Sequence, residues 1–252
     1  MQKLRVLDLF SGIGGFSLGL ERTGGFETVA FCEIEPFPRK VLAKHWPNVP
    51  CYEDVRTLTG ERLAADGIAV DVICGGFPCQ DLSTAGSGTG LDGDRSGLWF
   101  EFARLIREIR PQFVILENSP ELLNGWMGDI LRPLAQCGYD AEWDCIPARA
   151  VGAPHLRYRL WLIAYPSGDG LQRQRKYPKS INPTPDAFRE ANPLVDAFQR
   201  KAMPFVCRGH DGVSKQVDEA RNYALGNAVL PQIPELIGHA ILESIRSESE
   251  AA

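Results

Sequence analysis

The chain has 252 residues, of which 44% are hydrophobic and 23% are charged, and its net charge is −5 at pH 7. This composition excludes a disordered, collagen-like or coiled-coil protein. The length suits one large domain, alone or with a second, small domain. No apolar run reaches the roughly 18 residues of a membrane span, and the N-terminus lacks the features of a secretory signal, so we expect no membrane partner. Seven cysteines without CxxC spacing argue against a disulfide framework or a zinc ribbon and favour a reduced, cytoplasmic protein.

Strand-like and helical patterns alternate over the first two-thirds of the chain. The clearest helical pattern runs from about Leu98 to Ile109, and Ser119 with Pro120 predicts a capped helix start. Because the strand-like runs are apolar throughout, we expect them to be buried on both faces between helices, in an α/β fold with a doubly wound, mostly parallel sheet. The predicted strands are residues 5–10, 28–33, 70–76, 112–118 and 159–164.

The composition changes after Tyr165. Residues 166–221 are rich in Pro, Gly, Gln and charged side chains and show little periodicity, which predicts a small, irregular second domain. An apolar helical stripe then follows within residues 222–252. We therefore predict a main domain at 1–165, the small domain at 166–221, and a C-terminal segment at 222–252 that returns to the main domain.

The net charge hides a local reversal. Residues 149–179 contain seven Lys and Arg and one acid, which leaves 20 basic and 31 acidic residues elsewhere in the chain. Such a basic run is either a solvated face or the footprint of a nucleic acid. Composition alone leaves both interpretations open.

The first predicted strand ends in the glycine-rich turn DLFSGIGG, residues 8–15. Glycines there let the backbone approach a ligand at the start of a helix, and Glu33, after the second strand, stands where an acid commonly binds ribose hydroxyls. Ser17 replaces the third glycine of the dinucleotide fingerprint, so the turn predicts an adenosine-containing cofactor without choosing between a nicotinamide and S-adenosylmethionine. A tight turn without a ligand is the alternative. Asp54 is placed either to accept a hydrogen bond from an adenine amino group or to cap a helix.

The loop GGFPCQDLSTAG, residues 75–86, follows the strand at 70–76. It therefore lies at the carboxyl edge of the sheet, where doubly wound sheets bind ligands. A free cysteine is more often a small buried side chain than a nucleophile. The Gly and Pro before Cys79 and the Gln and Asp after it disfavour burial, so we predict that its thiol faces the cleft.

Five motifs in this order resemble the DNA (cytosine-5) methyltransferase family, closest to its short phage and prophage forms. They are DLFSGIGG, GGFPCQ, ENS after the strand at 112–118, the spaced arginines of HLRYR, and LGNAV near the end. The resemblance covers about residues 4–165 and 222–246. It implies a Rossmann-like, S-adenosylmethionine-dependent methyltransferase fold, DNA (cytosine-5-)-methyltransferase activity, and a target-recognition role for residues 166–221.

The resemblance also implies catalytic residues. Cys79 would add to C6 of a cytosine flipped out of duplex DNA, forming a covalent intermediate. Glu117, in ENS, would protonate N3 of the ring. Arg159 and Arg157 would hold the base carbonyl and a nearby phosphate, for which the planar guanidinium suits better than an ammonium group. Arginines alternating on a solvated strand edge are the other interpretation.

The remaining site assignments follow from the same resemblance, with no metal. Candidate DNA contacts are Ser83, Arg157, Arg173, Arg175 and Lys176. For S-adenosyl-L-methionine, the expected contacts are Phe10 and Asp54 at the adenine, Glu33 at the ribose, Gly12, Gly14 and Asn227 at the methionine end, and Pro78 at the back of the site. We expect a monomer that binds double-stranded DNA, and a cognate restriction endonuclease is a further candidate partner.

Departures from the family pattern are few. Ser119 stands where valine is usual and His155 where glutamine is usual, and neither change removes a group that the chemistry needs. A tRNA cytosine-5 methyltransferase is the nearest alternative, but its Cys-Phe-Thr signature is absent. A catalytically inactive DNA-binding homologue would not need Cys79, Glu117 and Arg159, and a nicotinamide-dependent reductase would leave the cysteine loop unexplained.

Overall fold

A single seven-stranded sheet organises the part of the chain that the computed structural model describes, residues 2–78, 97–153, 157–168, 224–225 and 227–251. The strands are β1 (Leu4–Leu9), β2 (Phe26–Cys32), β3 (Cys51–Tyr52), β4 (Val72–Gly75), β5 (Phe113–Asn118), β6 (Tyr139–Pro147) and β7 (Tyr158–Pro166). Their order is β3-β2-β1-β4-β5-β7-β6. Among the described strands, β7 runs antiparallel to both of its neighbours, β5 and β6, and the other pairs are parallel.

Helices cover both faces of the sheet, as the predicted doubly wound α/β fold requires. They are α1 (Gly15–Arg22), α2 (Pro36–His45), α3 (Gly60–Ala65), α4 (Leu98–Ile109), α5 (Met127–Gln136) and α6 (Gln232–Ala251), with short 3-10 helices at Pro120–Leu123 and Ala148–Val151. None of the helices in the described ranges is long and apolar enough to cross a membrane. The predicted fold class is confirmed.

The core lies in two layers because successive strand residues point to opposite faces. Leu7 and Leu9 of β1 pack with Trp99 and Phe102 of α4 on one face. Val6, on the other face, packs with residues of α1 and α6. All five of these side chains have no exposed surface, so the strand ends are held rigidly where they carry the candidate site.

The predicted elements agree with the structure except at three points. The strands β3 and β6 have no predicted counterpart. Ser119 does cap the next turn, since its hydroxyl accepts a hydrogen bond from the Glu121 N–H at 3.3 Å. The helix that Pro120 starts is a four-residue 3-10 turn, and α5 begins only at Met127.

The C-terminal segment lies directly on α1. A Cβ atom placed on Gly19 would be 2.1 Å from the carbonyl oxygen of Pro231, and one placed on Gly15 would be 2.4 Å from that of Val229. Only glycine permits this approach of two backbones. The close contact brings Asn227 to the end of the sheet where β1 finishes. The boundaries of the small domain stay a prediction, since most of residues 166–221 lie outside the described ranges.

Candidate active site

A cleft of about 790 Å³ opens at the carboxyl ends of the parallel strands, where doubly wound sheets bind ligands. Its volume lies within the range of small-molecule sites, about 300–1,000 Å³. Nine residues predicted from the sequence line it: Phe10, Gly12, Glu33, Asp54, Pro78, Glu117, Arg157, Arg159 and Asn227. Proposed cofactor contacts and proposed catalytic groups therefore share one cavity.

The turn after β1 forms one wall of the cleft. Phe10 and Gly12 both have a φ of +53°, a left-handed conformation that is rare for a side chain as large as phenylalanine. The Phe10 ring stacks on Phe102 at 6.5 Å between centroids. Apart from its chain neighbours, no atom of the described residues lies within 4 Å of the position that a Cβ on Gly12 would take, so this part of the chain leaves the space above the glycine open to a ligand.

Glu33 stands at the end of β2 with its carboxylate held by two backbone donors. Its Oε2 accepts the Gly12 N–H at 2.7 Å, and its Oε1 accepts the Glu35 N–H at 2.8 Å. Burial raises the pKa of this carboxyl, while the two backbone hydrogen bonds oppose that rise. An acid fixed in this way at the second strand is suited to binding ribose hydroxyls.

Asp54 caps the turn that follows it, and its role toward an adenine amino group stays a prediction. Its carboxylate accepts hydrogen bonds from the Arg56 N–H at 3.0 Å and from the Arg56 guanidinium at 2.7 Å. These bonds lower the pKa of Asp54, so the group is an ionised acceptor at neutral pH. The same residue caps its own turn and lines the cleft.

Glu117 and Arg159 form an ion pair on the adjacent strands β5 and β7. The Arg159 Nε donates to Glu117 Oε1 at 2.9 Å, and 13% of the Glu117 side-chain surface is exposed. Burial raises the pKa of Glu117, while the charges of Arg159 and Arg157 act in the opposite direction. A Cβ on Gly76 would lie 2.9 Å from Glu117 Oε2, so glycine in the GGFP segment leaves room for the carboxylate.

Arg157 lies beside this pair, immediately before β7. Burial and the neighbouring charge of Arg159 lower its pKa, and Glu117 opposes the shift. Its carbonyl accepts the Ala148 N–H at 2.9 Å, which ties the arginine to the 3-10 turn before it. Two guanidinium groups thus converge on one carboxyl group, an arrangement suited to binding a polar, partly anionic ligand.

Asn118 is a site residue that the sequence predictions overlook. Its Nδ2 donates to the Phe77 carbonyl at 3.2 Å, and its Oδ1 accepts the Ser119 N–H at 2.7 Å. It is 3% exposed. The side chain therefore fastens the segment that reaches the cleft at Pro78, immediately before Cys79. The sequence does carry a feature that could have identified Asn118, namely an amide side chain at the end of a central strand.

Gly14 differs from the other predicted cofactor contacts in its position. It begins α1 with a φ of +85° and lies outside the lining of the large cleft, against a second cavity of about 300 Å³. A Cβ there would lie 2.7 Å from the Trp46 ring. Conformation and packing thus explain this glycine, and its contact with a cofactor stays a prediction.

Five predicted residues lie outside the described part of the chain. These are Cys79, Ser83, Arg173, Arg175 and Lys176. His155, one of the two departures from the family pattern, also lies there. Their assignments stay predictions from the sequence. Within the described ranges, no group of three or more His, Cys, Asp or Glu side chains could hold a metal ion.

Comparison with known proteins identifies the family. Residues 4–219 match the family model for C-5 cytosine-specific DNA methylases. The chain belongs to this family. The predicted resemblance is confirmed, and a methyltransferase of this kind depends in general on S-adenosylmethionine.

Individual methyltransferases show how far the similarity extends. The type II methyltransferase M2.BsuMI of Bacillus subtilis is 37% identical over 169 residues, which are 64% of this chain and 42% of that protein. A prophage-encoded protein of Escherichia coli, described as a DNA modification methyltransferase, has a TM-score of 0.56 at 30% identity, over 65% of this chain and 47% of the other. The methyltransferase EhMeth of Entamoeba histolytica has a TM-score of 0.68 over 97% and 99% of the two chains, and at 13% identity it shows the fold alone.

The chain spans less than half the length of M2.BsuMI, and several of the predicted cofactor contacts lie together in its cleft. The Phe10 turn and Asp54 line one cleft, an acid stands at the end of β2, and the described residues leave the backbone at Gly12 open. These features fit S-adenosylmethionine, whose adenosine portion needs the same contacts as that of a dinucleotide.

Proposed function

We propose that this protein is a DNA (cytosine-5-)-methyltransferase that transfers a methyl group from S-adenosyl-L-methionine to C5 of a cytosine flipped out of duplex DNA. The observation that carries the proposal is the convergence of Glu117, Arg157 and Arg159 on a cleft that also contains Glu33 and Asp54. An acid–arginine cluster suited to a pyrimidine ring and a pair of acids suited to an adenosine therefore share one cavity.

The cofactor end of the cleft is assigned to the β1, β2 and β3 side of the sheet. Phe10 packs on the adenine, Asp54 accepts a hydrogen bond from the adenine amino group, and Glu33 binds the ribose hydroxyls. Gly12 and Asn227 hold the methionine portion. When bound there, S-adenosylmethionine supplies an electrophilic methyl group.

The catalytic steps are assigned to the β4, β5 and β7 side. The Cys79 thiolate adds to C6 of cytosine, and the ring electrons move toward N3, where the Glu117 carboxyl donates its proton. The resulting enamine makes C5 nucleophilic. After C5 is methylated and S-adenosylhomocysteine remains as the product, a base such as water takes the C5 proton, the thiolate leaves C6, and N3 returns its proton to the Glu117 carboxylate, which restores the aromatic ring. Burial supports this role because it raises the pKa of Glu117 above its ordinary value.

Arg159 and Arg157 are assigned to orientation. Arg159 holds Glu117 at 2.9 Å and is placed to donate to the base carbonyl, while Arg157 neutralises the phosphate of the extruded nucleotide. Since a stacked base cannot reach a cleft at the strand ends, this assignment requires base flipping. The basic run of residues 149–179 would bind the phosphates of the substrate DNA.

Sequencing of DNA from cells that express the protein tests the proposal. Bisulfite or long-read sequencing should reveal 5-methylcytosine in a defined sequence context, and Cys79→Ser should abolish it. Expression of Cys137→Ser is a matched control, since Cys137 follows α5 and lies outside the cleft lining. If the DNA stays unmethylated in cells that contain the folded wild-type protein, the proposal is contradicted.

The nearest alternative shares the catalytic core but acts on tRNA. Transfer of labelled methyl groups to duplex DNA and to tRNA, measured side by side, separates the two functions. We expect label in DNA only. A cognate restriction endonuclease remains a candidate partner, and the motif that sequencing reveals would define the cleavage site to search for.

A further inference from the structure

The segment that carries Asp54 has little regular structure of its own. It follows β3, a strand of two residues that pairs only with β2 at the edge of the sheet. Residues 53–59 between β3 and α3 form a turn and coil. An edge strand this short cannot by itself fix the direction of a carboxylate to within the tolerance of a hydrogen bond.

One side chain from a distant helix spans this segment. The Arg104 Nη2 of α4 donates to the carbonyl oxygens of Val55 at 3.0 Å and Leu58 at 2.8 Å. These acceptors lie 49 and 46 residues away in sequence. Val55 follows Asp54 directly and also lines the cleft. The two bonds therefore anchor the turn that follows Asp54, whose carboxylate is bound within that turn by Arg56 and lines the cleft.

The Arg104 guanidinium is itself held in place by two acids of the same helix. Its Nε donates to Glu101 at 2.7 Å and its Nη1 to Glu108 at 2.8 Å. Glu108 in turn accepts the Gly60 N–H at 2.9 Å, at the start of α3. Since α4 is packed through Phe102 and Leu105 into the core, the network connects the Asp54 turn to a rigid element.

We propose that Arg104 is a positioning residue for the adenine end of the cofactor site, which it serves by fixing the turn that presents Asp54. The inference rests on the proposed function, since it takes Asp54 as the acceptor for the adenine amino group. Arg104 itself does not line the cleft. Its effect on cofactor recognition is transmitted through the two carbonyl oxygens that it holds.

The predicted signature is a loss of selectivity for the adenine amino group. Binding of S-adenosylhomocysteine and S-inosylhomocysteine, which replaces that amino group by an oxygen, is measured by calorimetry on the full chain. Wild type should favour the adenosyl compound, and Asp54→Asn should lose most of the preference. Arg104→Gln should reduce it by about tenfold, the effect of one lost or misaligned hydrogen bond.

A double-mutant cycle and a kinetic measurement distinguish positioning from general destabilisation. Since Arg104 acts through Asp54, the double variant should be no less selective than Asp54→Asn alone. Arg104→Gln should raise KM for S-adenosylmethionine while kcat at saturation changes less than about twofold. Arg107→Gln, an exposed arginine of the same helix, is the matched control and should behave as wild type.

Two outcomes overturn the inference in distinguishable ways. If Asp54→Asn loses selectivity while Arg104→Gln keeps it, Arg104 has no positioning role and the proposed function stands. If wild type binds neither compound, or Asp54→Asn keeps full selectivity, the assignment of Asp54 fails together with the inference. Should Arg104→Gln not fold, Arg104→Lys carries the same test, because an ammonium group cannot hold both carbonyls in the geometry of the planar fork.

Discussion

Glu117 on β5 and Arg159 on β7 are joined because of the antiparallel register of the two strands. Glu117 pairs with Trp161, and residues two apart on a strand share a face. Arg159 therefore lies diagonally opposite Glu117, within reach of its carboxylate at 2.9 Å. The same period of two carries Arg157 toward the same carboxyl. The spacing of two residues in R-x-R therefore directs both arginine side chains to the side of the sheet where Glu117 lies.

Replacement of Arg159 by glutamine should shift the pH dependence of methyl transfer. The Arg159 charge opposes the rise that burial causes in the pKa of Glu117, so its removal raises that pKa further. If protonated Glu117 is the acid, kcat falls as pH rises through this pKa, and in Arg159→Gln the fall should begin at a higher pH. Single-turnover rates between pH 6 and 9 measure this. An unshifted profile would show that Glu117 is not the titrating acid.

Asp8 makes stability depend on pH. It is completely buried at the end of β1, and burial raises its pKa to about 7, although the Ser17 hydroxyl donates to it at 2.7 Å. Because the folded-state pKa exceeds the unfolded value of about 3.9, this carboxyl favours the folded state at low pH, and that contribution is lost as pH rises toward 7. In Asp8→Asn, the free energy of unfolding should therefore decline less between pH 5 and pH 8, by about 2–3 kcal/mol.

Urea unfolding of wild type and Asp8→Asn at both pH values measures the difference. Since Glu33 and Glu117 also have raised pKa values, some pH dependence should remain in the variant. Equal declines in the two proteins would contradict the role assigned to Asp8.

Gly19→Ala should weaken both the fold and cofactor binding. The added methyl group would lie 2.1 Å from the Pro231 carbonyl oxygen, so the segment before α6 must move away from α1, with an expected loss of about 1–3 kcal/mol in stability. Asn227 would move with it, and affinity for S-adenosylhomocysteine should fall. Gly128→Ala in α5 is the control, since no described residue outside the adjoining turns of α5 lies within 4 Å of its Cβ position. If Gly19→Ala and Gly128→Ala bind S-adenosylhomocysteine with equal affinity, the assignment of Asn227 to the cofactor site is wrong.

Neutralisation of Arg173, Arg175 and Lys176 together should weaken DNA binding and make it less sensitive to salt. Each lost phosphate contact reduces the slope of log K against log salt concentration by about 0.9, so the three changes should lower it by about 2–3. Fluorescence anisotropy with a labelled duplex at 50–250 mM salt measures the slope. Neutralisation of the exposed Lys3, Lys40 and Lys44 is the matched control. An unchanged slope in the first variant would place the DNA footprint elsewhere.

The central part of the fold could be predicted from the sequence because its strands are apolar throughout. β1, β4 and β5 are buried on both faces, and that burial is what the sequence pattern detects. The edge strands follow other rules. In β6, apolar residues such as Trp143 alternate with acids, the pattern of a half-buried strand, which a search for uniformly apolar runs does not detect. β3 is too short to leave any pattern.

The candidate site was predictable where motifs follow strands, because parallel strands end at one edge. That rule brings Glu33, Glu117 and Arg159 into one cleft. The antiparallel direction of β7 is set by its pairing with β5, which the composition of the strand does not reveal. The ion pair between Glu117 and Arg159 could therefore not be predicted from the sequence. The contacts of Arg104 with Val55 and Leu58 join residues 46–49 positions apart, and no local pattern encodes them.

Covalent trapping tests the account most directly. Duplex DNA containing 5-fluorocytosine cannot lose a proton from C5, so a thiol that adds to C6 remains attached after methyl transfer. We predict an adduct of wild-type protein that withstands denaturation, requires S-adenosylmethionine, forms more slowly in Glu117→Gln, and is absent in Cys79→Ser. Mass spectrometry of the digested adduct should locate the modified base on the peptide containing Cys79. An adduct that persists in Cys79→Ser, or methylation of ordinary DNA without any adduct on the fluorinated duplex, would contradict the proposed chemistry.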